Sequence, residues 1–287
     1  MQCQFEAPAA RAAYQAAAKA VTGKATIPTL GTVLMQCLSN SARFTGTDMD
    51  MQVSAAFPAS GDPGVVCLDA PQLGAFLARC DGVVKLEWTP GEPLATLRSG
   101  RSRASIPALE ADIFPVMSLE FDDAVTADGE VWRAALQSAL PHASTDANRH
   151  YLSGVSLAPT VIQASDGSTA YQASIAAIAA NAIVPPRAVA TIAAILDGDA
   201  QVSTSKGAIR VQCGDTVVVS KLVDGNFPDL DRVFPAMDKH QSARISSELL
   251  VDALQSAIGV GTTSKAGIAR ITLALDGADV PITRAGD

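Results

Sequence analysis

Apolar positions along this chain alternate between two rhythms. Stretches with apolar residues three and four apart predict helices over 7–21, 71–80, 129–140 and 186–196. Pro71 and Pro186 open two of them, and Asp81-Gly82 and Asp197-Gly198 close them. Between the helices, short runs with turn residues at their ends predict strands. In the first part these fall at 31–38, 42–47, 50–57, 83–88, 94–98 and 102–106. In the second they fall at 154–158, 160–164, 170–175, 201–204, 208–212 and 216–220. Alternation is weak in Asp215-Thr216-Val217-Val218-Val219-Ser220, as expected of a strand partly buried on both faces.

These elements repeat at long range. The strand–turn–strand reading around Asp48 returns around Asp166, 118 residues on. The helix openings at Pro71 and Pro186 are 115 apart, and the pairs Phe114-Pro115 and Phe227-Pro228 are 113 apart. A third copy starts with an amphipathic helix over Ser246–Ile258, its serine suited to cap the first turn. It continues with a strand–turn–strand unit over Ala269–Thr283 around Asp276-Gly277. The predicted domains are therefore 1–118, 119–236 and a partial third at 237–287. Each full domain splits into two units of a helix followed by strands. Five such units in series read as α+β, with helices on one face of antiparallel sheets.

Composition narrows the picture. Hydrophobic residues make up 48% of 287 residues and charged residues 17%, ample for packed cores and against global disorder. A net charge of −8 argues against a protein that coats nucleic acid through bulk positive charge, while leaving room for a local basic face. The five cysteines, at positions 3, 37, 67, 80 and 213, are odd in number and form no CxxC pair. They read as small buried thiols in a reducing cytoplasm. The start, Met1-Gln2-Cys3-Gln4-Phe5-Glu6, lacks the basic and apolar regions of a signal peptide. The alanine-rich stretch Ala173–Leu196 is broken by Asn181, Pro185-Pro186 and Arg187, which suits a strand, a break and a helix better than a membrane span.

Catalytic patterns are sparse. His142, Ser144, Asp146 and His150 lie close together, and a nucleophile–base pair or a metal pair there is one reading; a helix-end loop is the simpler one. Gly259-Val260-Gly261-Thr262-Thr263-Ser264-Lys265 imitates a phosphate loop, but it follows a helix where a Walker motif follows a strand. Asp48, Asp112, Asp166 and Asp229 fit turn chemistry. The expected helix-face or loop cations are Arg11, Lys19, Lys24, Arg79, Arg133, Arg149 and Arg187, enough for phosphate contacts without base readout. No cofactor or metal is expected.

Specific stretches carry a resemblance. Lys24-Ala25-Thr26-Ile27-Pro28-Thr29-Leu30-Gly31, Thr45-Gly46-Thr47-Asp48-Met49, Ser99-Gly100-Arg101-Ser102-Arg103 and Asp112-Ile113-Phe114-Pro115 come first. Arg149-His150-Tyr151-Leu152-Ser153-Gly154 and Ser165-Asp166-Gly167 follow, and the most specific runs from Ser220-Lys221-Leu222-Val223-Asp224-Gly225-Asn226-Phe227-Pro228-Asp229 to Arg232-Val233. In this order and over nearly the whole chain they resemble the bacterial DNA polymerase III β sliding clamp family, here with a truncated third domain. The resemblance implies a clamp-type fold: head-to-tail rings of three-domain chains, helices lining a central hole and sheets outside. It implies a cytoplasmic, non-catalytic processivity factor that encircles double-stranded DNA without sequence specificity and tethers DNA polymerase III after loading by a clamp loader, with no membrane role.

By the same resemblance, Lys24, Arg149, His150 and Tyr151 face DNA. Leu152, Ser165, Gly167, Ser168, Thr169, Ala170, Pro228, Arg232 and Val233 wall a pocket for partner peptides between domains two and three. Arg103, Ala104, Ile106 and Ile258 lie at the ring interface. Ser168-Thr169-Ala170 stands where the family usually carries histidine-arginine-leucine, which removes a cation and apolar bulk. Asp146 stands near a position that is normally neutral. The family ring needs twelve half-domain units and this chain holds five. The alternative expectation is therefore a diverged or truncated clamp paralogue that acts as an interaction protein for polymerase or clamp loader without forming a ring.

Overall fold

The computed structural model describes residues 1–23, 27–175, 181–234, 246–259, 271–273 and 282–284. It divides into two units, Met1–Asp231 and Arg232–Asp287. The first opens with β1 (Gln2–Glu6), α1 (Ala7–Ala17), β2 (Thr32–Cys37), β3 (Ser41–Thr47) and β4 (Met51–Gly61). It continues with β5 (Gly64–Asp69), α2 (Ala70–Leu77), β6 (Val83–Glu87), β7 (Leu94–Ser99) and β8 (Ser102–Leu109). Then come β9 (Val125–Ala127), α3 (Gly129–Ala139), β10 (Val155–Ala158), β11 (Val161–Ser165) and β12 (Ala170–Ser174). Last are β13 (Ala182–Val184), α4 (Pro186–Ile195), β14 (Ala200–Ser205), β15 (Ala208–Cys213) and β16 (Thr216–Lys221). The second unit contains α5 (Ser247–Gly259) and the antiparallel pair β17 (Ile271–Leu273) and β18 (Ile282–Arg284). Asp276-Gly277 and most of the 259–265 stretch lie outside the described residues.

The repeating unit gains an element over the expected one: each of α1 to α4 is preceded by a strand. Three of these strands escape a reading by periodicity for physical reasons: β9 and β13 have three residues each, and β5 (Gly64-Val65-Val66-Cys67-Leu68-Asp69) is apolar on both faces. β1 alternates strictly, with Cys3 and Phe5 buried between exposed polar residues. In the first domain eight strands run β1-β6-β7-β8-β5-β2-β3-β4, and β1 pairs back onto β4 through Cys3–Gly61, Gln4–Ser60 and Phe5–Ala59. The strands therefore close on themselves and leave few edges. In the second domain β9-β14-β15-β16 and β13-β10-β11-β12 are separate ladders. The long β4 joins the domains, pairing antiparallel with β16 from Met51–Ser220 to Ala55–Thr216. The expected boundary at 118 lies in the segment between β8 and β9.

Alternation along these strands sorts core from surface. Val53, Ala55 and Phe57 of β4 point inward, and Phe57 stacks on Phe44 with ring centroids 4.8 Å apart. Helix α1 buries Ala7, Ala10, Ala13 and Ala17, small residues that bring it close to the sheet. Asp69 caps α2 by accepting from the Gln72 N–H at 3.0 Å; Asp128 caps α3 by accepting from Glu130 and Val131. The second core centres on Trp132 with Leu136, Leu157, Ile162, Val189 and Ile192, and takes in Ala20, Met51 and Val53 from the first domain. This shared core packs the first two domains into one unit. All five cysteines are buried and free. Among the described residues no helix is long and apolar enough to cross a membrane.

Candidate nucleic-acid and partner interface

The loop after α3 supplies the expected DNA-facing residues. Asp146 accepts from the Asn148 N–H at 2.9 Å and starts a short 3-10 run over Ala147–Leu152. Arg149 breaks it with φ −115°, ψ 52°, turning its side chain back so that Nε lies 3.1 Å from Asp146 Oδ2. The Asn148 amide, then Arg149, hold the Asp146 carboxyl below its ordinary range. Arg149 is thus partly neutralised by the aspartate that the sequence places beside it. His150 is exposed, and its ring meets Tyr151 edge-on with centroids 5.8 Å apart. Lys24 lies outside the described residues.

Two glycines let neighbouring segments close on this loop. Gly167, φ +88°, sits at the β11–β12 turn, and a Cβ there would overlap the Arg149 Nη1. Gly225, φ +132°, lies against Tyr151, whose Cβ would be 3.0 Å from an added Cβ. The segment after β16 then returns along β12, with Gln172 Nε2 donating to Asp231 Oδ1 at 2.8 Å and Leu230 buried. So Arg149 meets the β11–β12 turn at Gly167, Tyr151 meets the segment after β16 at Gly225, and Leu152 is buried. Pro228 is exposed on the returning segment. Arg232 and Val233 open the second unit, where Val233 is exposed.

The β11–β12 turn is tightly wired. Ser165 Oγ donates to the Thr169 carbonyl at 2.8 Å and accepts from the Gly167 N–H at 3.1 Å. Asp166 Oδ1 accepts from the Ser168 and Thr169 N–H groups, each at 2.7 Å, and from the Thr169 hydroxyl at 3.2 Å. These donors, the Thr169 amide foremost, hold the Asp166 carboxyl below its ordinary range. His142 Nδ1 lies 2.9 Å from Thr169 Oγ1, and its ring stacks on Tyr171 at 6.1 Å and 16°. Sequence reasoning placed His142 with His150, yet the fold gives them different neighbours, Thr169 and Tyr151. Among the described residues no group of His, Cys, Asp and Glu could hold a metal. Nothing in residue spacing marks His142 and Tyr171 as neighbours; their contact comes from the fold.

Of the residues expected at a ring interface, Ile106 is buried in the first core, where it alternates with outward Ser105 and Pro107, and Ala104 is half-buried against the same core. Arg103 stays exposed, and β8 pairs with β5 only at Ala108 and Leu109, so its edge before that is free of strand partners among the described residues. Ile258 lies in α5, with its side chain outside the described residues. The helix cations are also less available than expected. Arg11 bonds the Leu77 and Cys80 carbonyls and Asp81, and Arg187 bonds Asp48 and the Lys19 carbonyl, tying the second domain to the first.

Family comparison turns on the two repeats. The model of the DNA polymerase III beta subunit N-terminal domain matches residues 9–118, and that of the central domain matches residues 131–229. The chain belongs to the DNA polymerase III beta subunit family. It is 32% identical over 257 residues to the beta sliding clamp of Salmonella typhimurium, covering 77% of this chain and 64% of that one. It is 27% identical over 280 residues to the beta sliding clamp of Caulobacter vibrioides, covering 90% and 74%. The fold is similar to that of the sliding clamp from Caulobacter crescentus, with TM-score 0.84 and 24% identity, covering all of this chain and 81% of that one. It is also similar to the Bacillus subtilis clamp, with TM-score 0.85 and 19% identity, covering 98% and 80%. The chain thus spans about two thirds of the length of the Salmonella relative.

Proposed function

We propose that this chain acts as a sliding clamp, a non-catalytic processivity factor that surrounds duplex DNA and holds a replicative polymerase to it. The observation that carries this reading is the strand–helix–three-strand unit, which occurs four times, with the two domains joined through β4 and β16. That arrangement needs no reactive side chain. A net charge of −8 fits a protein held on DNA by topology rather than by counterion release. The DNA contacts are His150, Tyr151, Lys24 and the part of the Arg149 charge that Asp146 leaves. They serve phosphates without reading bases. The place of action is the cytoplasm, the partners DNA polymerase III and its clamp loader. Self-association into a ring uses Arg103 and the free edge of β8. The wall formed by Leu152 and Ser165–Ala170 takes a short partner peptide. The test is primer extension on a long primed circular template, with polymerase and clamp loader from the same source. Product length should rise sharply when the chain is added; unchanged length overturns the proposal.

A further inference from the structure

We propose that His142 is a specificity-determining residue of the docking wall, reading a hydrogen-bond donor on the bound peptide when neutral and an acidic side chain when protonated. This rests on the docking reading above. Asp166 is ionised and already accepts two backbone N–H groups, so the Thr169 hydroxyl proton points to it. That hydroxyl has one proton, so the atom facing His142 Nδ1 is an oxygen lone pair and Nδ1 must carry a hydrogen. A neutral ring with hydrogen on Nδ1 presents Nε2 as a bare acceptor. Nε2 has no hydrogen-bond partner among the described residues, and stacking on Tyr171 fixes the ring plane. The Asp166–Thr169–His142 relay thus orients one free acceptor beside the Ser168-Thr169-Ala170 stretch.

A second proton on Nε2 turns the same atom into a charged donor while leaving the Nδ1 bond to Thr169 in place. The ring does not have to move. The groups around it are Asp166 through Thr169, Tyr171 from β12, and Arg149, whose guanidinium covers Gly167 of the same turn. The last turn of α3, just before His142, contains no basic residue. The stretch that lacks a permanent cation therefore has a switchable one next to it.

The test uses the full chain and two fluorescein-labelled apolar hexapeptides that differ only in one Gln→Glu exchange. Anisotropy at about pH 8.5 and about pH 5.5, either side of the ordinary imidazole range, should show a preference of about fivefold for the glutamine peptide that reverses in acid. His142→Phe keeps the stacking and should make the preference independent of pH. Thr169→Val should weaken it, because the ring loses its fixed tautomer. Histidine-15N NMR of the free chain should show hydrogen on Nδ1 of His142 in neutral solution, lost as the dominant tautomer in Thr169→Val. Binding with the same preference at both pH values, or a reversal that survives in His142→Phe, overturns the assignment to His142. Absence of binding by either peptide overturns the docking reading beneath it and the use of His142 with it. The NMR tautomer separately decides the relay, which hydrogen on Nε2 refutes.

Discussion

Gly74 sits inside α2, where alanine is intrinsically better by about 1 kcal/mol. Propensity alone predicts that Gly74→Ala stabilises the protein; the packing of α2 on α1 predicts the opposite. A Cβ on Gly74 would lie 2.5 Å from Tyr14 Oη and 2.7 Å from Cε1 and Cζ, inside normal contact. Tyr14 cannot yield freely. Its hydroxyl donates to the Ala70 carbonyl at 2.6 Å, and its ring meets Phe44 edge-on at 6.4 Å. Burial, then the Asp69 carboxylate, push its phenol above the ordinary range, so it remains a donor. Displacing the ring costs about 1 kcal/mol of hydrogen bond and about 0.5–1.5 kcal/mol of aromatic contact, with some strain where it resettles. After the propensity gain, the net effect is a loss of about 1–2 kcal/mol, or about 2–8 °C in Tm for a domain pair of this size. Differential scanning calorimetry of the four proteins in the Gly74→Ala, Tyr14→Ala cycle checks the sign. In the Tyr14→Ala background the added methyl meets space and should raise Tm. A higher Tm for Gly74→Ala with Tyr14 in place would refute the packing argument.

Arg187→Ala removes the contacts to Asp48 and the Lys19 carbonyl, and since Arg187 is half exposed the loss should be within about 1 kcal/mol, or a Tm drop of about 1–4 °C by calorimetry. Arg187→Lys should recover only part of it, because one ammonium cannot replace a two-armed guanidinium. The depressed Asp166 carboxyl makes its turn pH-dependent in one direction. Its contribution is complete above the ordinary carboxyl value and is lost only as pH falls through the lower folded value, so the Ser168 and Thr169 amide NMR signals should titrate below the ordinary value and not above it. Burial pushes the Cys67 thiol up to about 11 and also raises Cys3, with Cys37 adding to the latter, so folded protein should react with Ellman's reagent far more slowly than unfolded protein, which should expose five thiols.

The fold was legible where side-chain rhythm is strong. Helix α3, with Trp132, Ala135, Leu136 and Ala139 on one side, lies within a residue of its predicted span, and so do most of the long strands. The shortest strands before a helix were not legible: three residues such as Ala182-Ile183-Val184 are too few to set a period, and what makes them a strand is their pairing with β10. The site was legible as motifs but not as wiring. Arg149, Tyr151, Gly167 and Gly225 could be read from the sequence, whereas the packing of Arg149 on Gly167 and of Tyr151 on Gly225 depends on the fold. Strand alternation by itself puts the Ile106 side chain in the core. Arg11 and Arg187 looked like cations for phosphate, but carbonyls and aspartates distant in sequence claim them.

The central claim, that this chain holds DNA by enclosing it, is tested most directly by loading it onto nicked circular DNA with a clamp loader and following it by gel filtration in high salt, before and after one cut by a restriction enzyme. Enclosure predicts that the protein stays with the circle at high salt and leaves when the DNA is made linear, because topology is insensitive to screening while phosphate contacts are not. Release from the intact circle at high salt, or equal retention on circular and linear DNA, would contradict it.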